Sequence, residues 1–177
     1  MEIPSGEIDD LISKTANGDM AAFEQLYKLT SKSVWAYVLS IIKNTHDAED
    51  VLQDTYVKIF GAAGSYRSQK KPMAWILTIA KNESLARIRS QKRIDGDEPD
   101  FSMMADMLDR IESLEQRETL KAAFTVLSAD ETQIVMLHAV SGLKHREIAG
   151  LLDMKQNTVL SKYRRAIAKL QSELKEV

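Results

Sequence analysis

The chain has no cysteine. A disulfide framework, a thiolate zinc site and a cysteine nucleophile are therefore excluded, and the composition fits a reducing cytoplasm. Glycine and proline are scarce, 7 and 3 in 177 residues. A sandwich or barrel of many short strands would need more turn chemistry than that. No apolar run approaches the roughly 18 residues of a membrane helix; the longest are broken by Ser, Lys or Asn. The first ten residues, MEIPSGEIDD, are acidic and polar and do not read as a signal peptide. Three histidines, His46, His138 and His145, fall in separate segments, and no hydrolytic site gathers around them. Neither a metal nor another cofactor is expected. What remains is 44% hydrophobic and 28% charged, the composition of a globular protein with room for one medium domain or two small ones.

The net charge of −2 conceals a strong asymmetry. Between Thr55 and Ile94 stand nine bases and one acid, Glu83. From Asp95 to Asp109 there are six acids and no base. From Lys144 to Arg165 there are six bases against Glu147 and Asp153. Two basic blocks separated by an acidic one suit a nucleic-acid binder with separate contact surfaces. Either block alone could equally be a solvated helix face.

Nearly every periodic segment reads as helix. Ala21, Phe23, Leu26 and Tyr27, then Val34, Tyr37, Val38, Ile41 and Ile42, recur at helical steps. Thr45 or His46 opens the next helix, with Ala48, Val51, Leu52, Tyr56, Ile59 and Phe60 as its apolar stripe. GAAGSYRSQKK (61–71) reads as a loop, and Pro72 suits the first turn of a helix from about Met73 to Arg93. Asp95 to about Asp106, with Gly96 and Pro99, reads as a linker; Met103, Met104 and Met107 at its far end suit a small apolar contact. A second helical run starts near Ile111. Ser128 and Glu131 form a capping box for a helix that ends at Ser141-Gly142. The fold expected is all-α: two small helical domains joined by an acidic linker, the C-terminal one a helix-turn-helix. The expected bounds are 1–94, 95–110 and 111–177.

Three constellations carry chemistry. HREIAGLLDMKQNTVLSKYRRAIAKL has helix-turn-helix spacing: a short helix at about 145–152, a break at 153–155, then a longer helix. Val159, Tyr163, Ala166, Leu170 and Leu174 share one face of that helix; Asn157, Ser161, Arg164 and Arg165 fall near the other, able to reach base edges and phosphates. An ordinary helical hairpin with a polar outer face is the alternative. In DAEDVLQDTYVKIF (47–60), Asp47, Asp50 and Asp54 share a face opposite the apolar stripe, with Gln53 beside them and Val57 among them. An aliphatic residue inside an acidic stripe suits protein docking; a solvated face is the alternative. The third, 61–93, interleaves Tyr66, Trp75 and nearby Tyr56 with bases and Asn82, as unstacked bases of single-stranded DNA would require. Core placement of Tyr56 and Trp75 competes with that reading, since Ile76 and Ile79 flank Trp75 at helical spacing.

The order of these pieces resembles a bacterial RNA polymerase sigma factor of the extracytoplasmic-function (ECF) group. DAEDVLQDTYVKIF resembles the motif that docks on the polymerase clamp. KPMAWILTIAKNESLARIRSQKR resembles the helix that follows it, and HREIAGLLD with NTVLSKYRRAIAKL resembles the reader of the upstream promoter element. The similarity runs from about Ala21 to Leu174. Ala86 stands where an acid is frequent, Lys162 where Arg is commoner, and Gln156-Asn157 where smaller residues are frequent.

The resemblance implies a cytoplasmic, non-enzymatic protein. It would bind core RNA polymerase and direct promoter recognition, duplex opening and initiation. Asp47, Asp50, Gln53, Asp54 and Val57 would dock on the polymerase. Tyr66, Arg67, Lys70, Lys71, Trp75, Asn82, Arg87 and Arg89 would meet the downstream element and its melted strand. Gln156, Asn157, Thr158, Ser161, Lys162, Arg164 and Arg165 would meet the upstream element. The linker would thread a basic channel of the polymerase, and an anti-sigma factor would be a partner. Two rivals stand beside this reading. One is a stand-alone helix-turn-helix regulator, which does not need the 47–60 stripe. The other is a sigma-like interaction module, which does not need Arg164 and Arg165.

Overall fold

A computed structural model describes residues 5–91 and 125–173. In chain order the helices are α1 (Ser5–Ala16), α2 (Met20–Ile42), α3 (Thr45–Ala62), a 3-10 turn (Ala63–Ser65), α4 (Pro72–Gln91), α5 (Ala129–Ala139), α6 (His145–Leu152) and α7 (Gln156–Glu173). The described residues contain no strand. The all-α expectation holds. The expected linker at 95–110, the three methionines, the start of the second run at Ile111, and Leu174 lie outside the described residues.

Local signals set most helix ends. Asp19 caps α2, its carboxylate accepting from the Ala22 amide at 3.0 Å. Asn44 caps α3 by accepting from the Asp47 amide at 3.0 Å, which fixes the expected start at Thr45. The Ser128 box is complete: the Ser128 hydroxyl accepts from the Glu131 amide, and the Glu131 carboxylate accepts from the Ser128 amide. Two boundaries differ from expectation. Gly61 and Ala62 are still helical, so the loop before α4 is shorter than 61–71. The N-terminal segment is not merely polar: α1 buries Ile8, Leu11 and Ile12 on one stripe.

α2 is the centre of the molecule. Ser33 to Ser40 are buried without a break, a pattern possible only for a helix covered on more than one side. Val34, Tyr37 and Val38 belong to a core shared with Ile8, Ile12, Val51, Ile59, Ile76 and Leu77. Full burial of each Ile or Leu contributes roughly 1.5–3 kcal/mol relative to exposure. Tyr56 is inside this core, its hydroxyl 2.6 Å from the Thr30 hydroxyl, which settles the core alternative for that residue. Ala36 instead packs with Val135 and Met136 of α5 and with Ala166 and Leu170 of α7. The helix-turn-helix part therefore rests directly on α2. Hydrogen bonds join the parts as well: the Ser33 hydroxyl donates to the Val140 carbonyl at 2.9 Å, and the Lys81 ammonium donates to the Leu151 carbonyl at 2.7 Å, at the C-terminal end of α6.

Candidate docking and nucleic-acid surfaces

The α3 stripe is present but not uniform. Gln53, Asp54 and Val57 are exposed, Val57 at 70%. Among the described residues Asp54 has no charged partner. Asp47 and Asp50 are partly covered, because Arg87 of α4 reaches across to both. Its Nη2 lies 2.6 Å from Asp47 Oδ1 and 3.0 Å from Asp50 Oδ2, and its Nε lies 3.1 Å from Asp47 Oδ1. The hydrogen bond to Asp47 raises the guanidinium pKa further above its already high ordinary value. Phe60, expected in the apolar stripe, is 41% exposed and packs edge-on against Phe23 at 5.2 Å. Met20, Tyr27 and Val57 are the other large apolar side chains left exposed among the described residues. Only Val57 signalled this in the sequence.

The second surface centres on the segment before α4. Tyr66 is not a free stacking platform: its hydroxyl donates to Asp9 Oδ1 of α1 at 2.5 Å, and its ring lies 4.7 Å from that of Trp75. Burial pushes the Tyr66 phenol above its ordinary pKa, and Asp9 adds to the shift. Trp75 is itself half-buried against the core. Arg67, Lys70 and Lys71 are exposed around this pair, with Lys70 in the left-handed region at φ 58°. Seven-residue steps put Trp75, Asn82 and Arg89 on one face of α4, and Asn82 and Arg89 are exposed. Thr78, not singled out from the sequence, is exposed between them. Arg87 does not join this face; it is turned to α3.

The third surface is the outer face of α7. Asp153 adopts a left-handed conformation (φ 55°) and ends α6, its amide donating to the Ala149 carbonyl. Ala149 is buried where the two helices approach, as its small side chain permits. Val159, Ala166 and Leu170 are buried, whereas Gln156, Asn157, Thr158, Ser161, Arg164 and Arg165 are exposed. Lys162 stands apart from them: its ammonium lies 2.9 Å from Asp130 Oδ2 at the start of α5.

Two of the three histidines meet in space. His138 and His145 stack at 4.4 Å, and both meet the Tyr163 ring edge-on, at 4.9 and 4.7 Å. Burial, and secondarily the neighbouring His138, lowers the His145 pKa. The folded state then binds fewer protons at His145 than the unfolded chain does. Its contribution to stability is complete above the ordinary imidazole pKa of about 6.5 and declines as pH falls through and below it. Thermal melts from pH 7.5 to 5 should show the melting temperature falling, and His145→Phe should fall less. Equal slopes for the two chains would remove His145 as the source. Among the described residues no cluster of His, Asp and Glu could hold a metal ion.

Two family models match the chain, sigma-70 region 2 over residues 26–94 and sigma-70 region 4 over residues 117–170. The chain belongs to the ECF group of sigma factors. Its function is accordingly promoter recognition and transcription initiation. Among its relatives, the ECF RNA polymerase sigma factor SigK of Mycobacterium sp. (strain KMS) is 25% identical over 173 residues, 94% of this chain and 90% of the relative. SigK of Mycobacterium bovis (strain BCG / Pasteur 1173P2) is 24% identical over 175 residues, 95% of this chain and 94% of that one. The sigma factor RpoE from Bartonella quintana, solved in complex with the anti-sigma factor NepR, superposes with a TM-score of 0.65 at 26% identity. That match covers 86% of this sigma factor and 96% of RpoE. CnrH, solved with the cytosolic domain of CnrY, shares the fold with a TM-score of 0.63 at 23% identity, over 96% and 98% of the two chains. Among the described residues no helix of the sigma factor is long and apolar enough to cross a membrane.

Proposed function

We propose that this sigma factor divides its work among the three surfaces, and that it acts in the cytoplasm without catalysing a reaction of its own. The α3 stripe of Asp47, Asp50, Gln53, Asp54 and Val57 docks on core polymerase. Tyr66, Arg67, Lys70, Lys71, Trp75, Asn82 and Arg89 meet the downstream element and its melted strand. Gln156, Asn157, Thr158, Ser161, Arg164 and Arg165 meet the upstream element. Residues 1–94 and 111–177 form the two functional units, with 95–110 between them. An anti-sigma factor is a partner by analogy with RpoE, whose structure holds one. The observation that carries this reading is the coexistence of two exposed basic surfaces, one around the segment before α4 and Arg89, the other on α7, with a carboxylate face on α3 that contains an exposed valine. A stand-alone DNA-binding regulator has no use for that third face.

Run-off transcription with core polymerase on candidate promoters tests the assignment. Promoter-dependent transcripts that require this chain are expected; specific duplex binding that neither needs nor recruits core polymerase would favour the regulator instead. Within α7, Arg165 is expected to clamp a phosphate and Asn157 to read a base. Arg165→Ala in the holoenzyme should weaken binding on all sequences and lower the salt slope by about 0.9. Asn157→Ala should relax preference at one position, at roughly 1–3 kcal/mol. Titration on matched and mismatched upstream elements at several salt concentrations separates the two; exchanged signatures would reverse the assignment.

A further inference from the structure

The seam between α3 and α4 is stitched by charge in antiparallel register. Near one end Lys58 of α3 meets Glu83 of α4 at 2.6 Å. At the other end the same two helices meet with signs exchanged, Arg87 of α4 holding Asp47 and Asp50 of α3. Asp47 and Asp50 lie one turn apart and would repel each other if left alone. A guanidinium is the side chain that can bridge two carboxylates from one planar fork, and here it spends its donors in that way. The Arg87 side chain is about one-third exposed and Asp50 is 41% exposed, so the cluster reaches the surface next to Asp54 and Val57. It is therefore part of the α3 face, not of the Trp75–Asn82–Arg89 face.

We infer that Arg87 is a positioning residue for polymerase docking: by holding Asp47 and Asp50 in fixed orientations, it presents a preformed acidic face to a basic partner surface. This rests on the docking assignment of α3. A partner that meets carboxylates already ordered loses less side-chain freedom on binding, and a cation approaching Asp50 from outside completes an alternating cluster of charges. The same residue ties the docking helix to α4, the helix that carries the downstream-element face.

The test uses the full-length chain and core polymerase without DNA. Arg87→Ala should weaken binding about tenfold. Arg87→Lys keeps the charge but loses the planar fork, and should recover only part of the affinity. In an Asp47→Asn, Asp50→Asn background, Arg87→Ala should have little further effect; additive losses would overturn the proposal. A merely structural Arg87 would lower the melting temperature while leaving the affinity of the folded chain unchanged, which would also overturn it. So would wild-type core affinity combined with a holoenzyme–DNA salt slope reduced by about 0.7–0.9, the signature of a lost phosphate contact. Asp54→Lys, which does not touch Arg87, separates this proposal from the reading beneath it. If Asp54→Lys weakens core binding and Arg87→Ala does not, the positioning role fails and the docking face stands. If neither weakens it, the docking assignment fails, and the positioning role with it.

Discussion

Reversal of one carboxylate, Asp54→Lys, is expected to weaken core-polymerase binding by at least about thirtyfold. A charge pair desolvated at an interface costs roughly 2–5 kcal/mol when one partner is lost, and reversal adds repulsion. The double reversal Asp50→Lys, Asp54→Lys should abolish detectable capture. The single change is the cleaner probe. Asp50 is bound by Arg87, so its reversal also sets two cations against each other across the α3–α4 seam. Asp54 is exposed, flanked by Gln53 and close to Val57, and its substitution disturbs no pair among the described residues. Lysine is a good helix former, so helicity should be unchanged. Equilibrium binding of labelled core enzyme, with circular dichroism as the control, decides it. Wild-type affinity in the double variant would place the docking surface elsewhere.

Ala36→Arg is expected to separate the helix-turn-helix part from α2. Ala36 is 2% exposed and faces Val135, Met136, Ala166 and Leu170, so an arginine there forces a long charged side chain into a packed apolar contact. The change leaves the contacts of α2 with α1, α3 and α4 on its other sides intact. Small-angle scattering should report a radius of gyration well above the about 16 Å of a compact chain of this length. Far-ultraviolet circular dichroism should stay close to wild type. An unchanged radius at unchanged helicity would mean that the contact through Ala36 does not hold the parts together.

The elements that sequence made legible are those governed by neighbours along the chain. The Ser128–Glu131 box, the start of α3, and the break after α6 each depend on a few consecutive residues. The faces of α7 were legible too, because buried Val159, Ala166 and Leu170 follow the helical repeat. What escaped depends on register between helices. Arg87 and Arg89 are two residues apart and chemically identical, yet one is bound by carboxylates of α3 and the other is exposed. Lys162 sits among DNA-facing candidates in sequence and against Asp130 in space. His138 and His145 are joined only because the turn between α5 and α6 folds one over the other. Periodicity marked Val34, Tyr37 and Val38 as one apolar stripe; the burial of Ala36 depends on a second layer that no local pattern announces.

That second layer bears on how binding constants for this chain should be interpreted. A partner that needs the α4 and α7 faces apart must take molecules whose α2 is uncovered, with Ala36, Val135, Met136, Ala166 and Leu170 exposed to water and the Ser33 and Lys81 hydrogen bonds open. The observed dissociation constant for such a partner is its intrinsic value divided by the fraction of chains already open. For such a partner, residues on the buried side of α2 would set affinity without belonging to either face. A substitution that loosens that side could tighten binding while lowering the melting temperature, so the two measurements can move in opposite directions in the same variant.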